Sequence, residues 1–172
     1  MIFIALMTAV ICVVSPFSIP IGTVPVSFSF LAIFFALYVL GMKEGFISCV
    51  LYILIGFVGV PVFSGFGSGA AKIFGPTGGY ILGYLFLCVI AGFFIEKFYQ
   101  RRLAAFFGML LGVLVCYIFG TAWLMYQSHI TFVQALWAGV IPFIPFDLAK
   151  CAIAALLGPK IRKAALGQKI FD

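Results

Sequence analysis

The sequence predicts an all-α integral membrane protein, a bundle of six transmembrane helices forming one membrane domain over residues 1–172. Three observations lead there. Hydrophobic residues make up 66% of the chain and charged residues only 8%, whereas soluble domains run near 25% charged. The apolar residues gather into six runs separated by short breaks of glycine, proline and charge. The basic residues fall almost entirely on alternate breaks. A soluble domain of this length could not cover so much apolar surface, so lipid is the solvent for most of the chain.

The first run covers about Ile2–Val14. It lacks the basic flank and small-residue cleavage site of a signal peptide and reads as the first span. Pro16, Pro20 and Pro25 hold the following charge-free loop extended. The second span covers about Val26–Leu40 and stops at Gly41-Met-Lys-Glu-Gly45. The third covers about Phe46–Val60 and leads into a glycine-rich loop, Pro61–Gly79. The fourth covers about Tyr80–Ile95 and ends at the charged stretch Glu96–Arg102; the fifth covers about Leu103–Tyr126. Residues 127–144 are ambiguous: Gln127-Ser-His129 is a turn, and 131–140 fit either loop or a short surface helix. The sixth span opens at Pro145, a natural first helical residue. It runs to about Leu157, where Gly158-Pro159 is expected to break it before a basic tail.

Charge sets the orientation. Lys43, Lys97, Arg101, Arg102, Lys160, Arg162, Lys163 and Lys169 share one side of the six-span arrangement, and only Lys72 lies in a loop on the other. The positive-inside rule then places both termini in the cytoplasm of a cell-membrane protein, with loops 16–25 and 61–79 outside. The net charge of +6 does not indicate nucleic acid, because the cations are few and sit between apolar runs. Cys12, Cys49, Cys88, Cys116 and Cys151 stand singly in apolar runs without CxxC spacing, so they read as packing residues with no metal or redox motif. Small residues four apart (Gly79 and Gly83, Gly108 and Gly112, Ala5 and Ala9) suit close helix packing.

Two charges remain inside the apolar runs, Asp147 and Lys150. Each is costly near hydrocarbon and belongs in the bundle interior or a wet cavity. Three residues apart, they share a helix face, with Asp147 in a first turn where the helix dipole favours an anion. Two readings stand side by side: an ion pair across one turn, or a site offering an acceptor beside a cation to a ligand with N–H donors and a carboxylate. Glycines in the outer loop 61–79 let backbone approach a ligand closely, and Phe30, Phe63, Tyr80 or Trp123 are candidate walls of a pocket. Enzyme signatures are missing: no HExxH, GxSxG or GxxxxGK[ST] occurs, so ATP hydrolysis by a P-loop of this chain is excluded. His129, the one histidine, falls in an outer turn of this arrangement and reads as a surface residue.

At this point the residues resemble a known family. Ile19-Pro-Ile-Gly-Thr-Val-Pro25, Gly56-Phe-Val-Gly-Val-Pro-Val-Phe63, Gly75-Pro-Thr-Gly-Gly-Tyr80, Tyr117-Ile-Phe-Gly-Thr-Ala-Trp123 and Ile144-Pro-Phe-Asp-Leu-Ala-Lys150 look like the BioY family in their order along most of the chain. BioY proteins are the substrate-binding S components of energy-coupling-factor (ECF) biotin transporters. The resemblance implies a six-helix S-component fold and a biotin site near the outer face, covered by loops. Carried onto this chain, Asp147 would accept the ureido N–H groups and Lys150 would meet the valerate carboxylate. Ser64, Gly67, Thr77 and Tyr80 of the outer loop are further candidate ligand contacts. The chain departs from many relatives at Ser29, where they carry Gln, and near Phe66 and Gly67.

S components also carry a small-residue A-x-x-x-A pattern in the first helix, which Ala5-Leu-Met-Thr-Ala9 matches. It implies contact with a transmembrane coupling protein energised by two ATPase subunits. No cofactor is implied. The remaining alternatives are an S component for another vitamin, such as riboflavin or thiamin, a membrane enzyme acting on lipid, and a scaffold subunit. A homo-oligomer and a complex with the coupling module both fit this sequence.

Overall fold

Eight α-helices account for most of the chain in the computed structural model, which describes residues 1–19, 24–98 and 100–166. They are α1 (Ile2–Val14), α2 (Ser29–Leu40), α3 (Met42–Val58), α4 (Gly69–Ile73), α5 (Gly78–Phe98), α6 (Arg102–Ser128), α7 (Phe132–Gly139) and α8 (Ile144–Leu166). Pro20 with the centre of the 19–25 stretch, and Lys169 of the basic tail, lie outside the described residues. Between α1 and α2, strands β1 (Ser18–Ile19) and β2 (Val26–Ser27) pair antiparallel, Ser18 opposite Ser27 and Ile19 opposite Val26. By length and composition, α5, α6 and the helical stretch 132–165 that contains α8 can cross a membrane; α1 and α2 are shorter apolar helices.

Of the boundaries that differ from the sequence reading, three have a local reason. The second helix starts at Ser29 rather than Val26, because Val26 and Ser27 are drawn into the ladder with β1. The third starts at Met42 rather than Phe46. Gly41 turns the corner in one residue at φ +84°, and the Glu96 carboxylate accepts the Met42 N–H at 3.0 Å, satisfying an orphan donor of the new helix. Gly158-Pro159 does not end the sixth long helix, which runs on to Leu166. Pro159 removes one helical donor, a loss that transmembrane helices tolerate where neighbours pack closely. Gly158 serves a helix contact instead, since a Cβ there would lie 2.3 Å from the Tyr38 ring on α2. The ambiguous stretch after α6 resolves into a left-handed turn at exposed His129 and the short α7, opened by a Thr131–Gln134 capping box.

The core surrounds α2, whose Phe34, Leu37 and Tyr38 are fully buried. Helices α5 and α6 form a hairpin along a glycine seam. Added Cβ atoms would meet Trp123 at 2.2 Å from Gly79, Cys116 at 2.8 Å from Gly83 and Phe94 at 2.1 Å from Gly108. All five cysteines are free, four of them buried. Phe107, Leu114, Ile118 and Leu156 remain exposed, as lipid-facing residues do.

At the end of the bundle where α6 stops and α8 starts, the loop after α1 and the loop after α3 lock together. Gly65 N–H donates to Pro16 O at 2.9 Å, and Phe17 meets Phe66 edge to face at 5.8 Å. Trp123 Nε1–H on α6 donates to Gly75 O at 2.9 Å.

Candidate functional site

Asp147 lies in the first turn of α8 and Lys150 one turn further into the bundle, and both are buried, at 4% and 6% exposure. Lys150 Nζ donates to Asp147 Oδ1 at 2.7 Å and to the Ser27 carbonyl of β2 at 2.7 Å. The same ammonium stands 5.7 Å from the centroid of the Phe30 ring, a favourable place for a desolvated cation. The Tyr117 hydroxyl of α6 donates to Asp147 Oδ2. The ion pair read from the sequence is therefore made, and it is built into a wider polar cluster drawn from β2, α6 and α8.

The arrangement leaves chemistry to spare. A carboxylate has about four acceptor positions, and Asp147 uses two of them, one on each oxygen. Unsatisfied acceptor capacity beside a fixed cation suits a planar polar group that both donates and accepts. Asp147 and Lys150 are in direct contact, so the acceptor and the cation present themselves at one point of the cavity wall.

A narrow cavity of about 50 Å³ adjoins the pair. It is lined by Val24, Pro25 and Ser27 of the hairpin segment, Phe30, Tyr80, Tyr84 and Tyr117 of the bundle, and Gly139 and Phe143 beside α7. Small-molecule pockets usually measure roughly 300 Å³ or more, so this cavity is smaller than a typical ligand site. On the far side of Tyr117, a groove of about 360 Å³ runs between α6 and α7. Leu114, Ile118, Met125, Phe132 and Leu136 line it, with no charged side chain.

Of the expected ligand contacts, Asp147, Lys150 and Tyr80 line the cavity, whereas Ser64, Gly67 and Thr77 are not part of its lining. Ser64 sits in the turn that docks on Pro16. Gly67 packs against the Lys72 stem, where a Cβ would be 3.0 Å away. Of the candidate walls, Phe30 and Tyr80 line the cavity. Phe63 is buried against Tyr52 at 5.5 Å, and Trp123 pins Gly75. Ala5 and Ala9 are exposed on α1, whose other face buries Ile4, Thr8 and Ile11.

Sequence reasoning did not select Ser27, Tyr84, Tyr117, Gly139 or Phe143 as site residues. Helix packing brings Tyr117 to Asp147, a partnership that an aromatic ring in an apolar run does not signal.

A helical membrane protein in which a buried ion pair lines a cavity under two interlocked loops is a membrane-embedded solute-binding protein. The comparisons with known proteins agree. The BioY family model matches residues 1–167. Biotin transporter BioY2 of Lactococcus lactis subsp. cremoris (strain MG1363) is 36% identical over 161 residues, covering 94% of this chain and 88% of that protein. Biotin transporter BioY of Thermotoga maritima (strain ATCC 43589) is 35% identical over 157 residues, covering 91% of each. A crystal structure of the S-component for biotin from an ECF-type ABC transporter superposes with a TM-score of 0.85 at 33% identity, covering 94% of this chain and 89% of the other. The chain belongs to the BioY family.

Proposed function

We propose that this protein captures biotin as the substrate-specificity component of an ECF-type transporter, with ATP hydrolysis supplied by a transmembrane coupling protein and two ATPase subunits. The observation that carries the reading is the buried Asp147–Lys150 pair, held by Tyr117 and the Ser27 carbonyl at the wall of the cavity. A ureido ring presents N–H donors beside a carbonyl acceptor. Asp147 accepts the N–H and Lys150 donates to the carbonyl. This replaces the pairing of Lys150 with the valerate carboxylate: in biotin that carboxylate is separated from the ureido group by the bicyclic ring and a four-methylene tail, too far for two side chains in contact.

In this reading α1, α2, α3, α5, α6 and α8 are the six spans, both termini face the cytoplasm and the hairpin and loop 61–79 face outward. What supports it is the one-sided placement of the basic residues. The exposed Ala5 and Ala9 form the contact with the coupling protein.

The test is binding of labelled biotin to the purified protein in detergent, with biotin, riboflavin and thiamin as competitors. Displacement by biotin alone is expected, with Asp147→Asn weakening binding at least tenfold, about 1.4 kcal/mol. Absence of saturable binding by a folded sample would refute the biotin reading, and unchanged affinity in Asp147→Asn would remove Asp147 from the site.

A further inference from the structure

Lys150 is held by a carbonyl, and that carbonyl needs a support of its own. The ladder that carries Ser27 is two residues long on each strand, with Ser18 opposite Ser27, and so short a pairing is a weak clamp by itself. The side chain of Ser27 supplies a second hold. Its hydroxyl donates to Ser29 Oγ at 2.7 Å and accepts the Ser29 N–H at 3.2 Å, which also satisfies a free donor in the first turn of α2. Ser29 is fully buried. Its own hydroxyl proton is left to donate onward, and the hydroxyls of Tyr52 on α3 and Tyr84 on α5 both face it. Beyond Tyr52 stands the fully buried Ser15 at the end of α1.

The cluster reaches the ammonium by two routes. One runs from Tyr52 through Ser29 and Ser27 to the carbonyl that accepts from Lys150 Nζ at 2.7 Å. The other runs from the Tyr84 ring, edge-on to Phe30 at 5.5 Å, to the Phe30 ring 5.7 Å from the ammonium. Tyr52 is itself wedged edge-on to Phe63 at 5.5 Å. Ser27, Phe30, Tyr84 and Lys150 line the cavity, whereas Ser15, Ser29 and Tyr52 are not part of its lining. A lysine carries its charge on a flexible four-carbon stem, so the groups behind it decide whether the ammonium is preorganised for a ligand. In a low-dielectric interior, hydrogen-bonded side chains in series reinforce one another.

We infer that Ser29 and Tyr52 are positioning residues of the site: from behind the cavity wall they hold the Ser27 carbonyl, and through it the Lys150 ammonium, where the ureido carbonyl of the ligand is received. This rests on the biotin reading above. Two residues that do not line the cavity thereby set the preference for a carbonyl acceptor at that end of the ligand.

The experiment compares biotin with 2-iminobiotin on purified protein in detergent at neutral pH. In the second ligand an imine replaces the ureido carbonyl, and the resulting guanidinium offers donors and no acceptor. The wild type is expected to prefer biotin about tenfold or more, because Lys150 has nothing to donate to in the analogue. Tyr52→Phe and Ser29→Ala are expected to weaken biotin several-fold and leave 2-iminobiotin unchanged, so the preference shrinks. The double variant is expected to lose no more than Ser29→Ala alone, since Tyr52 acts through Ser29. Equal weakening of both ligands, unchanged biotin affinity, or additive losses in the double variant would overturn the positioning role and leave the two as packing residues. Tyr52→Phe keeps the ring against Phe63, so it carries the test alone if Ser29→Ala does not fold. A wild type that binds both ligands equally would overturn the pairing of Lys150 with a carbonyl, and this inference with it. A wild type that binds neither would overturn the biotin reading itself.

Discussion

At the scale of single residues the site turns on one carboxylate. Asp147 is held from both sides, by Lys150 on its own helix and by Tyr117 from α6. The lysine neutralises the charge, whereas the phenol fixes the orientation of the carboxylate, each of whose oxygens keeps an acceptor position. A hydrogen bond to a charged group is worth about 1.5–3 kcal/mol, and part of that is expressed in binding when the carboxylate must be preorganised. Tyr117→Phe should therefore lower biotin affinity roughly tenfold while preserving the ring that separates cavity from groove. On an Asp147→Asn background the same change should cost little further, because its effect passes through the carboxylate. Equal losses on both backgrounds, in the same detergent binding assay, would mean that the phenol acts through packing alone. Asp147 and Lys150 were legible in the sequence because a charge inside an apolar run is costly and rare. Tyr117, Tyr84 and Phe143 were not: an aromatic side chain in such a run looks the same whether it meets lipid, a neighbouring helix or a ligand.

At the scale of elements, hydropathy located the long helices and missed what joins them. The limits of α1 agree with the first apolar run, and α6 extends the fifth by two residues at its C-terminal end. The pairing of Ser18–Ile19 with Val26–Ser27 left no trace, because a two-residue ladder has no period to detect. It matters nonetheless, since it presents the Ser27 carbonyl to Lys150. The corner at Gly41 depends on a carboxylate 54 residues away, a partnership local sequence does not reveal. The glycine seam was legible from its four-residue spacing, and its consequence can be measured. Gly83 faces Cys116 with its Cβ position 2.8 Å from the sulfur. Gly83→Leu should push α5 from α6, at an overpacking cost of about 1–3 kcal/mol, and lower the thermal unfolding temperature in detergent. An unshifted unfolding temperature would show that the seam can open without penalty. Tyr80 projects from the same helix, so biotin binding should weaken in parallel.

At the scale of the whole molecule, the candidate site and the exposed face of α1 are separate structures. The site is assembled from β2, α2, α5, α6, α7 and α8 at one end of the bundle. Helix α1 instead packs Thr8 against Ser48 of α3, hydroxyl to hydroxyl at 2.9 Å, and contributes no residue to the cavity lining. Its outer side carries Ala5 and Ala9 with exposed Ile2, Leu6 and Val13. Small residues four apart on a lipid-facing helix allow another helix to approach closely, and internal packing does not use them here. Binding and coupling should therefore come apart on mutation. Ala5→Leu with Ala9→Leu adds bulk to that face without touching the site, so purified protein should bind biotin as before. Cells supplying the coupling and ATPase subunits should lose most biotin uptake, and the variant should no longer co-purify with the coupling protein. If uptake and co-purification survive the double substitution, the coupling contact lies on another face. If binding falls along with uptake, α1 supports the site after all and the separation of the two functions fails.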